Sequence, residues 1–366
     1  MEILKIEKKK FLPKIIILTH GDADGLTSAM IIETAIRKLY NNKFEWIILS
    51  SLAPTAQETE KMIDWVLNGF TLSEKDKIYI VDRSMPTIKY LDENKNKLER
   101  GILISIDHHL TNHPDSWRKT QHSKYINFIW DDEECGATLT LEWFKEKEKF
   151  NKKFKDTYIN LKDFAEVVKL WDIFSWTNLN PNIPSENEKI IAAKTINAAE
   201  KIYGGKYFYK KLIENVENLS NLKPLFSEAL EAYQYKYEST IRTALYHSQE
   251  YKYGKYLINI FYDMDKDYQP IFSHEFLEEN KADILIFINS YGTASLKSRK
   301  NLDISEWVEE LGELSGFTGG GHKNASGFRF TESKTIEDFV KEKLINILKK
   351  EAKNKRVEFQ ILKEII

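Results

Sequence analysis

The strongest constraint on this chain is a rhythm in its first third. Short apolar runs alternate there with amphipathic stretches. Lys14–Thr19 (KIIILT) has the composition of a buried strand, followed by a polar loop and a helix from about Gly25 to Tyr40. Phe44–Ser50 repeats the strand pattern, and Thr55–Leu67 carries Met62, Ile63, Val66 and Leu67 near helical spacing. Lys77–Val81 and Gly101–Ile106 are predicted as a third and a fourth strand. Strands that alternate with helices imply an α/β fold, a parallel sheet with helices on both faces. Such sheets bind ligands at the carboxyl ends of their strands, so the residues just after each strand are where chemistry belongs.

Further along, Asp156 to about Gln249 has a mainly helical pattern, including Tyr158–Trp171 and Ser227–Gln249. Tyr256–Phe261, Ile284–Asn289 and Thr293–Ser298 return to strand composition. The expected organisation is an N-terminal parallel-sheet domain over 1–185, a helical connector over 186–250, and a smaller C-terminal α/β domain over 251–366.

Composition narrows the function. The chain has 54 basic and 56 acidic residues and a formal net charge of −2, without the basic excess of a bulk electrostatic binder of nucleic acid or anionic membrane. A local basic groove remains compatible with that balance. The one cysteine, Cys135, excludes an internal disulfide framework and a Cys-rich zinc module, and has the character of a small core residue. No stretch approaches the ~20 apolar residues of a membrane span, and Ile15–Leu18 is too short for a signal segment. The expected location is cytoplasmic.

Three strand ends carry the candidate chemistry. His20-Gly21-Asp22-Ala23-Asp24-Gly25 follows the first, Asp82 the third, and Asp107-His108-His109 the fourth. Singly, each has an ordinary structural reading. Asp24 could cap the next helix, Asp22 could stabilise a turn, and Asp82 could be a cap as well. Together they put many carboxylates on one sheet edge, where they repel unless cations neutralise them. Imidazole with carboxylate suits Mn²⁺, Fe²⁺ or Zn²⁺ better than Ca²⁺. Bridging carboxylates favour a pair of ions roughly 3.5–4 Å apart, the arrangement that hydrolyses phosphate esters.

The C-terminal region adds Gly319-Gly320-Gly321-His322-Lys323-Asn324-Ala325-Ser326-Gly327, in which a glycine-rich loop can bring backbone N–H groups close to an anion. A flexible turn is the plainer reading. Ser295-Leu296-Lys297-Ser298-Arg299 leaves a strand with two cations, either guarding an edge or clamping a phosphate. Tyr251, Tyr253 and Tyr291 offer rings for base stacking or for packing, and His113 and His122 fall in a polar loop expected at the surface.

HGDADG, the lone Asp82, DHH and GGGHKNASG, in that order, resemble the DHH phosphoesterase superfamily, in the branch with a glycine-rich DHH-associated C-terminal domain. The resemblance spans roughly residues 14–340. It makes the first domain a metal-binding catalytic domain and the last a substrate-binding domain. Members include RecJ-type single-strand exonucleases, nanoRNases and cyclic-dinucleotide phosphodiesterases, typically with two Mn²⁺ ions; Mg²⁺, Fe²⁺ and Zn²⁺ are the alternatives. The resemblance implies metal ligands at His20, Asp22, Asp24, Asp82, His108 and Asp172. Asp22 and His20 would hold the first ion and Asp24 and His108 the second, with Asp82 bridging. Asp172 is the expected aspartate on a later helix, with Asp163 as its rival. Asp107 would orient His108 or act as a weak ligand, and His109 would face the substrate phosphate. Arg299, Gly319, Gly320, Gly321, His322 and Lys323 would hold substrate. Two departures stand out. His20 precedes the first carboxylate by two residues, where nanoRNase-like members have four, and the glycine segment ends Ala-Ser-Gly instead of Ala-Ala-Gly.

The implied function is Mn²⁺-dependent hydrolysis of short single-stranded RNA or DNA from an end. The alternatives are a cyclic-dinucleotide or 3′-phosphoadenosine-nucleotide phosphodiesterase and, from another class, a non-catalytic replication or repair partner. Pyrophosphate hydrolysis also uses a DHH core, but the GGGH segment argues against it. Superfamily members occur as monomers and as homodimers.

Overall fold

The computed structural model describes residues 1–7, 12–40, 43–98, 102–109, 112–115, 126–147, 152–219, 222–290, 292–299, 302, 318–322, 325–329, 345–346, 349 and 358–363. The chain divides into two compact units, Met1–Tyr233 and Gln234–Ile366.

The first unit is built on a six-stranded sheet in the order β1-β3-β2-β4-β5-β6. Its strands are β1 (Glu2–Glu7), β2 (Lys14–His20), β3 (Glu45–Ser51), β4 (Lys77–Val81), β5 (Ile102–Asp107) and β6 (Ile126–Trp130). Strands β2 to β6 pair in parallel, and β1 joins the β3 edge antiparallel. Alternate residues supply two cores. Ile15, Ile17, Ile48, Tyr79, Val81 and Ile106 face one way and Ile16, Leu18, Ile47, Ile78 and Ile80 the other. That double burial is why these strands are almost continuously apolar.

The second core is closed by α2 (Ala56–Gly69), α3 (Ile88–Glu93) and α4 (Lys95–Leu98), through Met62, Ile63, Val66, Leu91 and Leu98. The first is closed by α1 (Ala23–Tyr40), α5 (Gly136–Lys147), α6 (Lys152–Asp172), α7 (Pro184–Tyr203) and α8 (Gly205–Glu214). Helices α7 and α8, within the expected connector, pack against α6 and α1 respectively. Helix α9 (Leu222–Tyr246) contains the division between the units.

The second unit has a seven-stranded sheet in the order β11-β12-β10-β9-β8-β7-β13. Its strands are β7 (Gln249–Tyr253), β8 (Tyr256–Tyr262), β9 (Ile284–Asn289), β10 (Thr293–Ser298), β11 (Thr318–His322), β12 (Ala325–Arg329) and β13 (Phe359–Lys363). Only β8 and β9 pair in parallel, joined through α10 (Gln269–Glu278), whose Phe272 and Phe276 pack on Phe261. Among the described residues no helix is long and apolar enough to cross a membrane.

The glycine-rich segment differs from its expected form. Gly319–Gly321 are not a loop but part of β11, paired with β12 so that Gly320 stands opposite Gly327. Two facing glycines leave bare backbone there. A Cβ on Gly327 would stand 3.2 Å from the Ala294 carbonyl of β10, tighter than most real contacts, so the close strand approach favours glycine.

Candidate metal centre

The carboxyl ends of β2, β4 and β5 lie side by side in one sheet, which fixes the separation of the groups they carry. His20 is the last residue of β2, Asp82 follows β4 directly, and Asp107 ends β5. Asp82 adopts a left-handed φ of 52°, a conformation aspartate tolerates better than bulkier residues. Its N–H donates to the Ile106 carbonyl at 2.9 Å, so the turn that aims its carboxylate is tied to β5.

Asp22, not Asp24, caps α1. Its Oδ1 accepts from the Gly25 N–H at 3.0 Å and its carbonyl accepts from Leu26 at 3.0 Å. The start of α1 lies so close to β2 that a Cβ on Gly25 would stand 2.5 Å from the His20 carbonyl. Asp24 turns inward instead. Its Oδ2 accepts from Gly136 N at 2.7 Å and its Oδ1 from Ala137 N at 2.8 Å, both in the first turn of α5. Those N–H groups have no helical partner of their own, and a carboxylate satisfies them well.

Two ligand groups flank Asp82, each with atoms lying within 4.8 Å of one another: His20 with Asp22 and Asp82, and Asp24 with His108 and Asp172; a third group of the same tightness, Asp82 with Asp107, His108 and His109, overlaps both. Asp82 reaches toward both. Its Oδ2 is 3.4 Å from His20 Nδ1 and its Oδ1 is 3.5 Å from His108 Nε2. Asp172, at the end of α6, comes within 3.4 Å of His108 Nε2. Asp163 is exposed on the same helix and belongs to neither group. His20 Nε2 lies 3.2 Å from the Leu52 carbonyl, which it can reach only as a donor, so Nδ1 is left facing Asp22 at 2.8 Å.

Asp107 is fully buried and braces the edge. Its Oδ1 holds His109 Nδ1 at 2.8 Å and its Oδ2 accepts from Asn112 Nδ2 at 2.7 Å. His109 is 43% exposed at the side chain, the most open imidazole of the cluster. Asn112 also donates to the Arg83 carbonyl and accepts from Met85 N, so all its polar atoms are used.

The ionisation pattern fits a cation site. Burial alone would lower the His20 pKa, but the charges of Asp22 and Asp82 outweigh it and push it up to about 11. Burial likewise opposes, and Asp82, Asp24 and Asp107 outweigh, in raising His108 to about 9. Burial and the negative charge of Asp82 raise Asp24 to about 7, and burial with three neighbouring aspartates raises Asp172 strongly. Without ions the cluster thus favours proton retention at several groups. Buried Asp82 Oδ2, Asp172 Oδ2 and His20 Nδ1 have no hydrogen-bond partner among the described residues. Unsatisfied buried oxygen and imidazole nitrogen atoms converging from two sides on Asp82 fit divalent ions of borderline hardness.

Several residues of this centre were not foreseen. Arg83 is fully buried, donating to Thr59 Oγ1, the Thr19 carbonyl and the Ala53 carbonyl. It pins the end of β2, the segment after β3 and helix α2 to the turn after β4. Asn112 and Gly136 also belong here. The sequence offered only the adjacency of Arg83 to Asp82 as a signal; the other contacts cross loops. Trp130, at the end of β6, donates from Nε1 to the His109 carbonyl at 2.9 Å. Its ring meets His113 edge-on at 4.4 Å. Cys135 is buried, and burial and Asp24 raise its thiol pKa well above the usual range, the profile of a core residue.

In the second unit, Arg299 is occupied. Its Nε donates to the Ala282 carbonyl at 2.9 Å and its Nη1 is 3.3 Å from Asp283. Tyr251 and Tyr253 are buried in the core. Lys323, Tyr291 and His122 lie outside the described residues. His322 ends β11 and stands opposite Ala325, which stands opposite Lys297 of β10. Burial lowers the Lys297 pKa, and no hydrogen bond or ion pair engages its amine among the described residues.

Two family models match the chain: the DHH family N-terminal domain over residues 14–168 and the DHHA1 domain over residues 254–350. The chain belongs to the DHH phosphoesterase superfamily. No curated protein matches it in sequence. Similar solved DHH folds include a DHH domain from a member of the s1p family of ribosomal proteins, at 18% identity over 92% of this chain and 87% of that one, with a TM-score of 0.67. RecJ in complex with Mn²⁺ from Thermus thermophilus matches at 16% identity and TM-score 0.57, over 96% of this chain but 53% of the RecJ chain. CDC45 from Entamoeba histolytica shares the fold at 7% identity and TM-score 0.53, over 92% and 95%. At such identities the likeness is one of fold.

Proposed function

We propose that this protein is a Mn²⁺-dependent phosphodiesterase that hydrolyses short single-stranded oligonucleotides from an end. The observation that carries the reading is the pair of ligand groups meeting at Asp82, with unsatisfied buried atoms on both sides. Two RecJ structures of this fold contain manganese, and one of those proteins is an exonuclease.

His20, Asp22 and Asp82 would hold one ion, and Asp24, His108, Asp172 and the other oxygen of Asp82 the second. Such ions supply a water acidified near neutral pH and a clamp on the attacked phosphoryl group. His109 is oriented by Asp107 through Nδ1, which leaves Nε2 open to a phosphate oxygen. Its pKa is raised, chiefly by the bond to Asp107, which extends to higher pH the range of the charged form that donates from both nitrogens. On the second unit, His322, Ala325 and Lys297 stand in one register row. The glycines Gly319, Gly320 and Gly321 precede His322 in β11, in register with β12. Lys297 is therefore the cation assigned to substrate phosphate, because the guanidinium of Arg299 is held by Asp283 and Ala282.

The balanced overall charge suits a substrate with few phosphates, since long single strands need many cationic contacts. The reading as a non-catalytic partner is the weaker one, because a protein without metal chemistry has no use for this convergence of acids. The test is a substrate panel with Mn²⁺: linear RNA and DNA from dinucleotides to long oligomers, cyclic dinucleotides, 3′-phosphoadenosine nucleotides and pyrophosphate. End-wise shortening of linear substrates is expected. Faster turnover of a cyclic dinucleotide than of any linear dimer would replace the substrate assignment, and no turnover anywhere would favour the non-catalytic reading.

A further inference from the structure

Asp24 is held where helix α5 begins, and that seat exists only because residue 136 has no side chain. A Cβ added to Gly136 would stand 2.8 Å from Asp24 Oδ2, 3.1 Å from Asp82 Cβ and 3.1 Å from Ser28 Oγ. The first is closer than real Cβ contacts come, so something must shift. Retreat is blocked on the other sides. Asp24 is 2% exposed and already accepts from Gly136 N and Ala137 N, Asp82 is locked into its left-handed turn, and α1 is buried against α5. The atom that would be displaced is one of the two carboxylate oxygens in the group formed with His108 and Asp172.

We infer that Gly136 is a positioning residue for the second metal ion: its missing Cβ seats the Asp24 carboxylate against the α5 N-terminus while aiming it at His108 and Asp172. This rests on the two-ion reading above. Both Asp24 oxygens are oriented by N–H donors, which leaves their remaining lone pairs in fixed directions. The ion held with Asp24 therefore depends on Gly136 most directly, through the 2.8 Å contact, and the ion held by His20, Asp22 and Asp82 less, through the looser 3.1 Å contact with Asp82 Cβ.

The test uses the full chain as Gly136→Ala, Asp24→Ala and the double variant, with Mn²⁺ as the probe. Metal titration and electron paramagnetic resonance count the ions, and urea unfolding of the ion-free protein reports stability. Wild type is expected to bind two ions with a spin-coupled signal. Gly136→Ala should weaken one site by about 10- to 100-fold, the range for outer residues that orient a ligand, and replace the coupled signal by a mononuclear one. In the Asp24→Ala background the same substitution should change metal binding much less than it does in wild type, because only the looser contact with Asp82 remains. It should also shift the urea midpoint less than it does in wild type, because the crowded oxygen is gone. Two coupled ions of unchanged affinity in Gly136→Ala, or the same midpoint loss in both backgrounds, would overturn the assignment. A wild type that binds one ion would instead remove the two-ion reading, while the urea cycle would still report whether Gly136 acts on Asp24.

Discussion

At the scale of single residues, Asp82 is the pivot. Its two oxygens face different histidines, at 3.4 and 3.5 Å, and one of them has no hydrogen-bond partner among the described residues. Asn keeps the shape and tolerates the left-handed backbone, so Asp82→Asn removes charge without adding strain. Mn²⁺-dependent turnover should fall by about a thousandfold, several kcal/mol at 1.36 kcal/mol per tenfold, with the circular dichroism spectrum retained. Near-normal turnover would rule out a bridging role. His109 makes a different prediction. Its pKa is raised, so its charged, donating form is present at low pH and is lost as pH rises through that raised value. His109→Gln should lower kcat/KM and flatten the alkaline limb of its pH profile. Arg83 is a third case, a cation that donates its hydrogen bonds to neutral oxygens. Arg83→Met strands the Thr19 and Ala53 carbonyls and should destabilise the fold by about 2–5 kcal/mol in urea unfolding. Arg83→Lys should recover only part of this, because an ammonium cannot reproduce the fork. Neither Arg83 nor Asn112 was legible beforehand, since their partners come from other loops.

At the scale of elements, the strand ends store protons that ions must displace. The raised pKa values of His20, His108 and Asp24 all have one sign. Each favours the ion-free fold below its unfolded value, near 6.5 for histidine and 3.8 for aspartate. That contribution is lost as pH rises toward about 11, 9 and 7 respectively. Asp22 is depressed, by His20 among others, and acts in the opposite sense at low pH. Metal binding needs the deprotonated forms, so the rise in melting temperature caused by Mn²⁺ should grow from weakly acidic to weakly alkaline pH. Proton release on binding should accompany it, and a Mn²⁺ effect that shrinks with pH would contradict this ligand set. The elements themselves divide by pattern. β2, β3, β4 and β5 were visible as apolar runs because both faces are buried. β1 (EILKIE) is a half-exposed edge inside a lysine-rich stretch, and β6 (INFIW) is short and follows a polar segment, so neither announced itself. β11 escaped because glycine has no side chain with which to show a period. Its strand character comes from pairing with β12.

At the scale of the whole molecule, charge is placed where its total does not reveal it. A net −2 reads as indifference to nucleic acid, yet acids concentrate in the first unit's candidate metal centre, where two divalent ions, if bound as proposed, would offset about four negative charges. Under the proposed reading the cations available to phosphate are few: His109 in the first unit and Lys297 in the second. Counterion release then gives a quantitative expectation. For single strands the slope of log affinity against log salt is about −0.7 per phosphate contacted, so one or two contacts predict a slope between about −0.7 and −1.4 for 1/KM. A protein tracking a long strand through six or more phosphates would give about −4 or steeper. Measuring KM for a dinucleotide and for a long oligomer over a salt series at saturating Mn²⁺ separates the two. The same shallow slope for both substrates is expected if only the terminal phosphates are gripped. A slope that steepens with length would locate a basic track elsewhere on the chain and shift the assignment from short oligonucleotides to long single strands.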